Sequence, residues 1–348
     1  MPPGGHIIGP CALPGNKAGH GTSYSLPGPE RLPVGFPGKQ CLVTNMAMAA
    51  PVNNTFVQAD KSSTDPEEDS IAPAFPLDPG MAPFGNFPYY YRFHPPAARL
   101  HLLPPTLLRS LFPAPSTGLQ APPLLALDVG CNSGDLSIAL YRHLGLQEND
   151  AVSVGSLHTP GNLRFLCCDI DSALIERAEK SNPFPGSVSY AVLDVMDPAA
   201  RLAVLRPFLD GFSRSTFDIG FCMSVTMWIH LNHGDEGLVE FLGWLASLCG
   251  YLLVEPQPWK CYRAAARRLR KLGRNDFDHF RHLAISGDMA ERITGILTSG
   301  EAMELVRCFG NTSWDRSLLL FKSKRLKMVA QSEEHLVSER QGCDGRCS

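Results

Sequence analysis

The chain has 348 residues, of which 44% are hydrophobic, with 31 basic and 34 acidic side chains and a formal net charge of −3. This near-neutral balance excludes a globally basic, histone-like protein and an acidic disordered one. Four Trp, eight Tyr and 18 Phe residues are enough to build a substantial core.

The N-terminal stretch differs in composition from the rest. Residues 1–80 contain 13 Pro and 10 Gly, a density typical of low-complexity sequence. We expect a disordered extension over residues 1–80, a folded domain over 81–327 and a polar tail over 328–348. No stretch has the pattern of a signal peptide, and no apolar run reaches the ~18 to 20 residues of a membrane span.

The cysteines favour a reducing compartment. Cys167, Cys168, Cys222 and Cys249 lie in or beside apolar runs, where a thiol behaves as a small buried hydrophobe. We therefore expect an intracellular protein with reduced thiols and no membrane contact.

An aromatic segment opens the folded part, with Phe84-Gly85-Asn86-Phe87 followed by the aromatic run 89–93. It has two interpretations, an aromatic staple onto the main core or a lid over a pocket.

From Leu124 onward, strand and helix patterns alternate. Strands are predicted over 124–129, 163–168, 188–193, 217–223 and 250–254, and helices over 135–144, 172–181 and 238–249. Residues 145–162 are predicted to be an inserted surface loop, and 303–308 with 317–321 an antiparallel edge. The alternation predicts an α/β fold with a doubly wound, mainly parallel sheet and helices on both faces. Ligands of such sheets bind beyond the carboxyl ends of the strands.

Three strand ends carry groups suited to a nucleoside. The first ends in Asp128-Val129-Gly130-Cys131-Asn132-Ser133-Gly134 and lacks the G-x-G-x-x-G pattern, which disfavours a nicotinamide oxidoreductase. Asp169 ends the second, where its carboxylate can accept both hydrogen bonds of a ribose diol. Asp194 ends the third and can accept from an adenine amino group, beside the backbone amide of Val195. Each acid alone has a structural alternative as a helix cap.

This combination resembles the class I S-adenosylmethionine-dependent methyltransferases. The runs 224–238 and 253–259, and the upstream Phe84-Gly85-Asn86, are similar to the signatures of the bicoid-interacting RNA methyltransferases. Within that family the resemblance is closest to the branch that methylates RNA 5′-monophosphates, including precursor microRNA and histidine tRNA. It runs from about residue 82 to 322.

The resemblance implies S-adenosylmethionine as the cofactor, no metal, and O-methylation of the 5′-monophosphate of small RNAs. It implies that the cofactor contacts Arg99, Asn132, Asp169, Asp194, Val195 and Met223. The loop after the first strand adds Asp128 and Gly130 to the residues that we expect to contact the cofactor. The structural alternative for Arg99 is a surface arginine that packs its stem.

The chemistry does not require a general base, because a phosphate monoester has a second pKa of ~6 and its oxygens are already charged at neutral pH. We therefore expect the site to hold the phosphate with a few hydrogen bonds. His230 and His233 are predicted to be the catalytic residues that do so. The alternative is a structural histidine in a loop.

A basic stretch follows. Residues 260–282 contain eight basic and two acidic side chains, and on a helix the arginines form one face and the apolar residues another. We predict that this stretch binds the RNA through Lys260, Arg263, Arg267 and Arg270. The alternative is a solvated face.

The main hypothesis is an RNA 5′-monophosphate methyltransferase that acts as a monomer. One alternative is methyl-capping of the γ-phosphate of 5′-triphosphate small nuclear RNA, and another is a non-catalytic RNA-binding scaffold. Because the branch it resembles is cytoplasmic, we expect a cytoplasmic protein. The short basic run 322–327 keeps a nuclear location as the alternative.

Overall fold

The computed structural model describes residues 83–113, 122–145 and 163–325. The predictions for the extension over 1–80, for the inserted loop after Gly145 and for the tail over 328–348 concern residues outside these ranges.

Seven strands form one sheet in the order β3-β2-β1-β4-β5-β7-β6. β1 to β5 pair in parallel, whereas β7 is antiparallel to both of its neighbours, β5 and β6. The strands are β1 (Leu124–Val129), β2 (Leu163–Asp169), β3 (Val188–Val192), β4 (Phe217–Met223), β5 (Cys249–Glu255), β6 (Met303–Asn311) and β7 (Ser317–Ser323). The doubly wound, mainly parallel sheet and its antiparallel edge are therefore confirmed.

The central strands are apolar along their length because the sheet is covered on both faces. Nearly every residue of β1, β2, β4 and β5 is buried. The buried positions include Cys167, Cys168, Cys222 and Cys249, all of them free thiols, as the sequence predicts.

Helices cover both faces, as predicted. They are α1 (Tyr90–Phe93), α2 (Pro96–Leu100), α3 (Leu107–Leu111), α4 (Asp135–Gly145), α5 (Ser172–Lys180), α6 (Pro198–Asp210), α7 (Thr226–Leu248), α8 (Trp259–Lys271) and α9 (Met289–Thr298). One apolar layer contains buried residues of α6, α7, α8 and α9, and the other contains buried residues of α3, α4 and α5. Each layer packs against one face of the sheet. Within the described ranges, no helix has both the length and the apolar character needed to cross a membrane.

Sequence reasoning missed helix α6. Its N-cap is Asp197, whose carboxylate accepts from the backbone amide of Ala199 at 2.8 Å, and Pro198 occupies the first helical position. Its apolar pattern is weak because the helix leaves Leu202 exposed and includes Pro207.

Helix α7 corrects the prediction of a helix over 238–249. It begins at Thr226, well before the predicted start at residue 238, and Gly234 kinks it with a φ of 70° and a ψ of −172°. Just after the kink, the carboxylate of Asp235 accepts from the backbone amides of Ala284 at 2.8 Å and Ile285 at 3.1 Å. These hydrogen bonds to residues far along the chain stabilise the helix in the polar segment around Gly234.

Candidate active site

A cavity of about 410 Å³ opens at the carboxyl ends of the parallel strands. It spans the point where the strand order reverses between β1 and β4, which is where doubly wound sheets bind ligands. Six of the residues predicted to contact a cofactor line it, namely Gly130, Asn132, Asp169, Asp194, Val195 and Met223. The structure thus brings together strand ends that are far apart in the chain.

The loop after β1 is tight. Gly130 has a φ of 73°, and its amide donates to the carbonyl of Cys168 at 2.8 Å. A Cβ atom added to Gly130 would lie 2.3 Å from the side chain of Val225, so only glycine fits there. The backbone can therefore pass close to a ligand at this position.

The two acidic strand ends keep hydrogen-bonding capacity toward the pocket. Asp169 accepts one backbone amide on each oxygen, from Asn132 at 2.8 Å and from Asp171 at 3.0 Å, and burial raises its pKa. Each of its carboxylate oxygens has a second lone pair, which suits a diol. Asp194 is exposed, and its Oδ1 accepts from the amide of Met196 at 2.8 Å.

Two predicted cofactor residues do not line the pocket, which corrects their expected placement. Asp128 is buried and accepts from the hydroxyl of Ser137 at 2.6 Å. Burial raises its pKa to about 7, although the hydrogen bond from Ser137 opposes the change. It therefore anchors α4 beneath the loop.

Arg99, the second of them, is fully buried and forms an ion pair with Glu255 at 2.8 Å. Its guanidinium also donates to the hydroxyls of Tyr90 at 2.9 Å and Ser224 at 3.2 Å, both of which line the pocket. Arg99 therefore lies behind the residues that line the pocket, and it is not a surface arginine.

The aromatic segment forms one wall of the pocket, because Phe84, Gly85, Asn86, Tyr90 and Tyr91 all line it. Gly85 lies directly on Trp228 of α7, where an added Cβ would overlap the indole ring at 2.0 Å. Residues 83–91 are therefore placed as a cover of the pocket, and their contacts with α7 also join them to the core.

Asn86 presents an acceptor without a partner. Its amide nitrogen donates to the carboxylate of Asp171 at 2.5 Å, which fixes the orientation of the side-chain amide. Its Oδ1 is buried and has no hydrogen-bond partner in the described part of the chain. Buried polar atoms are rarely left unpaired, so a ligand donor at this wall would be stabilised.

The two predicted catalytic histidines lie on different faces of α7. Val225, Trp228, Ile229, Asn232 and His233 line the pocket at helical spacing.

His230 faces the opposite way and is fully buried. Its Nε2 pairs with Asp235 at 2.7 Å and its Nδ1 with the hydroxyl of Tyr262 at 3.1 Å. Burial lowers its pKa, against the effect of Asp235. The expected contact of His230 with the phosphate does not fit this placement, since the ring joins α7 to α8.

The predicted RNA-binding helix is α8, and its apolar face is buried through Tyr262, Ala265 and Leu269. The basic side chains on its outer face, Lys260, Arg263, Arg267 and Arg270, are exposed.

Their ion pairs differ. Lys260 pairs with Asp315 at 3.4 Å and Arg270 with Asp276 at 2.9 Å. Within the described ranges no ion pair involves Arg263 or Arg267, so these two are best suited to bind phosphates.

Sequence reasoning missed Arg268, Tyr90 and Arg316. Arg268 is half-buried, 5.0 Å from the ring of Phe87, and connects α8 to the pocket wall. Arg316 is buried and donates to the hydroxyls of Tyr90 at 3.0 Å and Ser224 at 2.7 Å. In the residues described there is no group of three or more side chains suited to hold a metal ion.

Several known proteins are similar to this chain. The family model for Bicoid-interacting protein 3 (Bin3) matches residues 217–323. The RNA 5′-monophosphate methyltransferase of Bos taurus is 62% identical over 265 residues, which are 76% of this chain and 88% of that protein. The pre-miRNA 5′-monophosphate methyltransferase of Xenopus laevis is 62% identical over 250 residues, 72% of this chain and 95% of that protein. Among solved structures, the N-methyltransferase NodS from Bradyrhizobium japonicum WM9 in complex with S-adenosyl-L-homocysteine matches with a TM-score of 0.38 and 16% identity, over 66% of this chain and 87% of NodS.

Proposed function

The chain belongs to the family of RNA 5′-monophosphate methyltransferases, and from this premise we propose that it methylates the 5′-monophosphate of a small RNA, with S-adenosylmethionine as the methyl donor. The proposal for the site rests on one observation. Two carboxylates at neighbouring strand ends and a glycine loop at the end of another strand all line a single pocket. This set matches a nucleoside that carries no phosphate groups.

The residues present fit that cofactor. Asp169 would accept from the ribose hydroxyls, and Asp194 with the amide of Val195 would hold the adenine ring. The unpartnered Oδ1 of Asn86 supplies a further acceptor on the covering wall. When bound, S-adenosylmethionine supplies a methyl group made electrophilic by its sulfonium centre.

The protein's own contribution is to position the acceptor. A phosphate monoester carries a charge of about −1.5 to −2 at neutral pH, so its oxygen needs no proton removed before it attacks. Holding the two reactants in line can contribute ~7 to 11 kcal/mol. Two pocket-lining residues with polar side chains, His233 and Tyr90, are suited to this task.

The RNA chain beyond its 5′ end would follow α8. This helix begins at Trp259, shortly after the carboxyl end of β5, so its outer face starts near the pocket edge. Arg263 and Arg267 supply positive charge along it.

A panel of RNAs that differ only at the 5′ end tests the proposal. Each carries a hydroxyl, a monophosphate or a triphosphate and is incubated with the enzyme and labelled S-adenosylmethionine, with a charge-sensitive readout. We expect methyl label on the monophosphate end alone. This label should survive phosphatase treatment, because a methylated phosphate is no longer a monoester, whereas unmethylated 5′-phosphates are removed. A faster reaction with the triphosphate would favour γ-phosphate capping. Binding of RNA without uptake of the cofactor would favour a scaffold.

Location and oligomeric state are proposals. The location rests on the resemblance to a cytoplasmic branch, and the monomeric state on the lack of a strong dimerisation signal in the sequence. We propose a cytoplasmic monomer without membrane contact. Light scattering of the purified chain and fractionation of cells expressing a tagged chain test these two points.

A further inference from the structure

A buried arginine contacts the wall of the pocket just beyond the end of β3. Arg201 lies near the start of α6 and is buried, whereas the side chain of Glu240, its ion-pair partner at 3.3 Å, is 59% exposed. Burying a guanidinium is unfavourable unless it is hydrogen-bonded, and an ion pair with an exposed partner adds little stability. The position of Arg201 therefore depends on its other contacts.

These contacts hold the guanidinium of Arg201 against the backbone that follows β3. Its Nε donates to the carbonyl oxygen of Val195, and its Nη2 lies 3.8 Å from the sulfur of Met196. The guanidinium also lies over the ring of Trp244, 4.4 Å from the ring centroid. It is therefore fixed between α7 and the turn that enters α6.

The peptide unit between Val195 and Met196 joins this guanidinium to Asp194. A trans peptide unit is planar, so its carbonyl and its N–H point in opposite directions. Arg201 binds the carbonyl of this unit, while its N–H, the amide of Met196, donates to Oδ1 of Asp194 at 2.8 Å. The hydrogen bond that holds one end of the unit therefore fixes the other end, and the carboxylate of Asp194 with it.

The preceding peptide unit is fixed from the same side. The carbonyl of Asp194 accepts from the amide of Asp197, the N-cap of α6, at 3.1 Å. The N–H of this unit is the amide of Val195, which pairs with no acceptor in the described ranges, and Val195 lines the pocket. The start of α6 thus holds both groups that are expected at the adenine ring, the carboxylate of Asp194 and the amide of Val195.

We propose that Arg201 is the positioning residue that makes this site select adenine in the cofactor. It does so by holding the peptide unit between Val195 and Met196 and, through it, the carboxylate of Asp194. The inference rests on the proposed function, because it concerns the cofactor of the same reaction.

The two hydrogen-bonding groups of the site distinguish adenine from hypoxanthine. Adenine presents an amino group, which donates, beside a ring nitrogen, which accepts. Hypoxanthine presents a carbonyl, which accepts, beside a ring N–H, which donates. A fixed carboxylate beside a fixed amide N–H matches the first base and opposes the second. If the peptide unit were free to turn, the carboxylate could move away and this discrimination would weaken.

Calorimetry with S-adenosylhomocysteine and with S-inosylhomocysteine, which differ only in this base, tests the inference. The preference for adenine is the ratio of the two dissociation constants, and we expect it to be roughly a hundredfold in the wild type, because two hydrogen bonds are reversed. Arg201→Lys keeps the charge but puts a methylene group where arginine has Nε, so the bond to Val195 is lost. It should reduce the ratio about tenfold, the effect of one hydrogen bond to a charged group.

Matched variants separate this role from a general loss of structure. Glu240→Gln removes the ion pair but leaves the bond to Val195, so it should keep the wild-type ratio. Arg201→Gln can place its amide nitrogen where arginine has Nε, so it should retain more of the ratio than Arg201→Lys. Because Arg201 acts through Asp194, adding Arg201→Lys to Asp194→Asn should change the ratio no further. Thermal unfolding identifies any variant that does not fold, and Arg201→Met, which also lacks the donor, then replaces Arg201→Lys.

The outcomes are distinguishable. If the wild type prefers S-adenosylhomocysteine and Arg201→Lys keeps that preference, the inference is wrong and the proposed function stands. An equal loss in Glu240→Gln would assign the effect to the ion pair and also overturn the inference. If the wild type binds both compounds equally, the adenine contacts of Asp194 and Val195 are wrong and the inference with them, while methylation of the RNA panel would still support the reaction. If the wild type binds neither compound, the proposed function fails.

Discussion

Reversing the charges of Arg263 and Arg267 is expected to weaken RNA binding and to flatten its dependence on salt. Both side chains are exposed on one face of α8, about 6 Å apart along the helix axis, with no ion pair in the described ranges. Each phosphate contact contributes about 0.7 to the slope of log K against log salt for a single strand and about 0.9 for a duplex. The Arg263→Glu/Arg267→Glu variant should therefore lose about 1.4 to 1.8 from this slope if each arginine neutralises one phosphate.

The slope is obtained from anisotropy titrations of one 5′-monophosphate RNA at several salt concentrations. The control, Lys180→Glu/Arg206→Glu, makes the same change in net charge on α5 and α6, where both residues are exposed and ion-paired. An equal flattening in the control would show that net charge, and not α8, sets the slope. An unchanged slope in the α8 variant would refute the path of the RNA. The affinity for S-adenosylhomocysteine, measured by calorimetry, should stay at the wild-type value.

Three further predictions concern the pocket and its supports. Burial raises the pKa of Asp128 from 3.8 to about 7, so the wild type loses stability as the pH rises from about 4 to about 7, where the folded state keeps a proton that the unfolded state has lost, and Asp128→Asn does not. The gap between their urea-unfolding free energies should grow in favour of the variant by roughly 2 to 4 kcal/mol from pH 4 to 7 and stay level above it. Gly130→Ala should weaken S-adenosylhomocysteine binding by roughly tenfold or more in calorimetry, because the added Cβ would meet Val225 in a left-handed loop; wild-type affinity would count against a tight loop. His230→Gln should lower the unfolding free energy by about 1 to 3 kcal/mol, because it disturbs the hydrogen bonds to Asp235 and Tyr262, and should leave KM for RNA unchanged. A fall in kcat at wild-type stability would instead show that His230 takes part in the reaction.

The strand ends were predictable from the sequence because parallel strands bring their carboxyl ends to one edge of a sheet. Gly130, Asp169 and Asp194 each follow an apolar run, so the sheet alone places them side by side. Asp128 was assigned to the same edge, but its side chain points to Ser137 instead. The position of a residue along a strand predicts whether it lies at the carboxyl edge of the sheet. The direction of its side chain depends on the packing around it, which the sequence does not show.

The two histidines of α7 were predicted together as polar donors to the phosphate, and no helix was predicted over the segment that holds them. Once it is a helix, spacing separates them: His233 shares a face with Ile229, whereas His230 lies on the face toward Tyr262. The glycine and the polar run around Gly234 hide this helix from sequence patterns. What stabilises it is tertiary, since Asp235 accepts two amides from a loop far along the chain.

The hydrogen bond between Arg316 and Tyr90 shows where sequence patterns cease to be informative. Tyr90 lies in the first aromatic segment and Arg316 just before β7, and no local spacing relates them. Their contact arises because the antiparallel β7 pairs with β5, which brings Arg316 to the edge where Glu255 ends its strand.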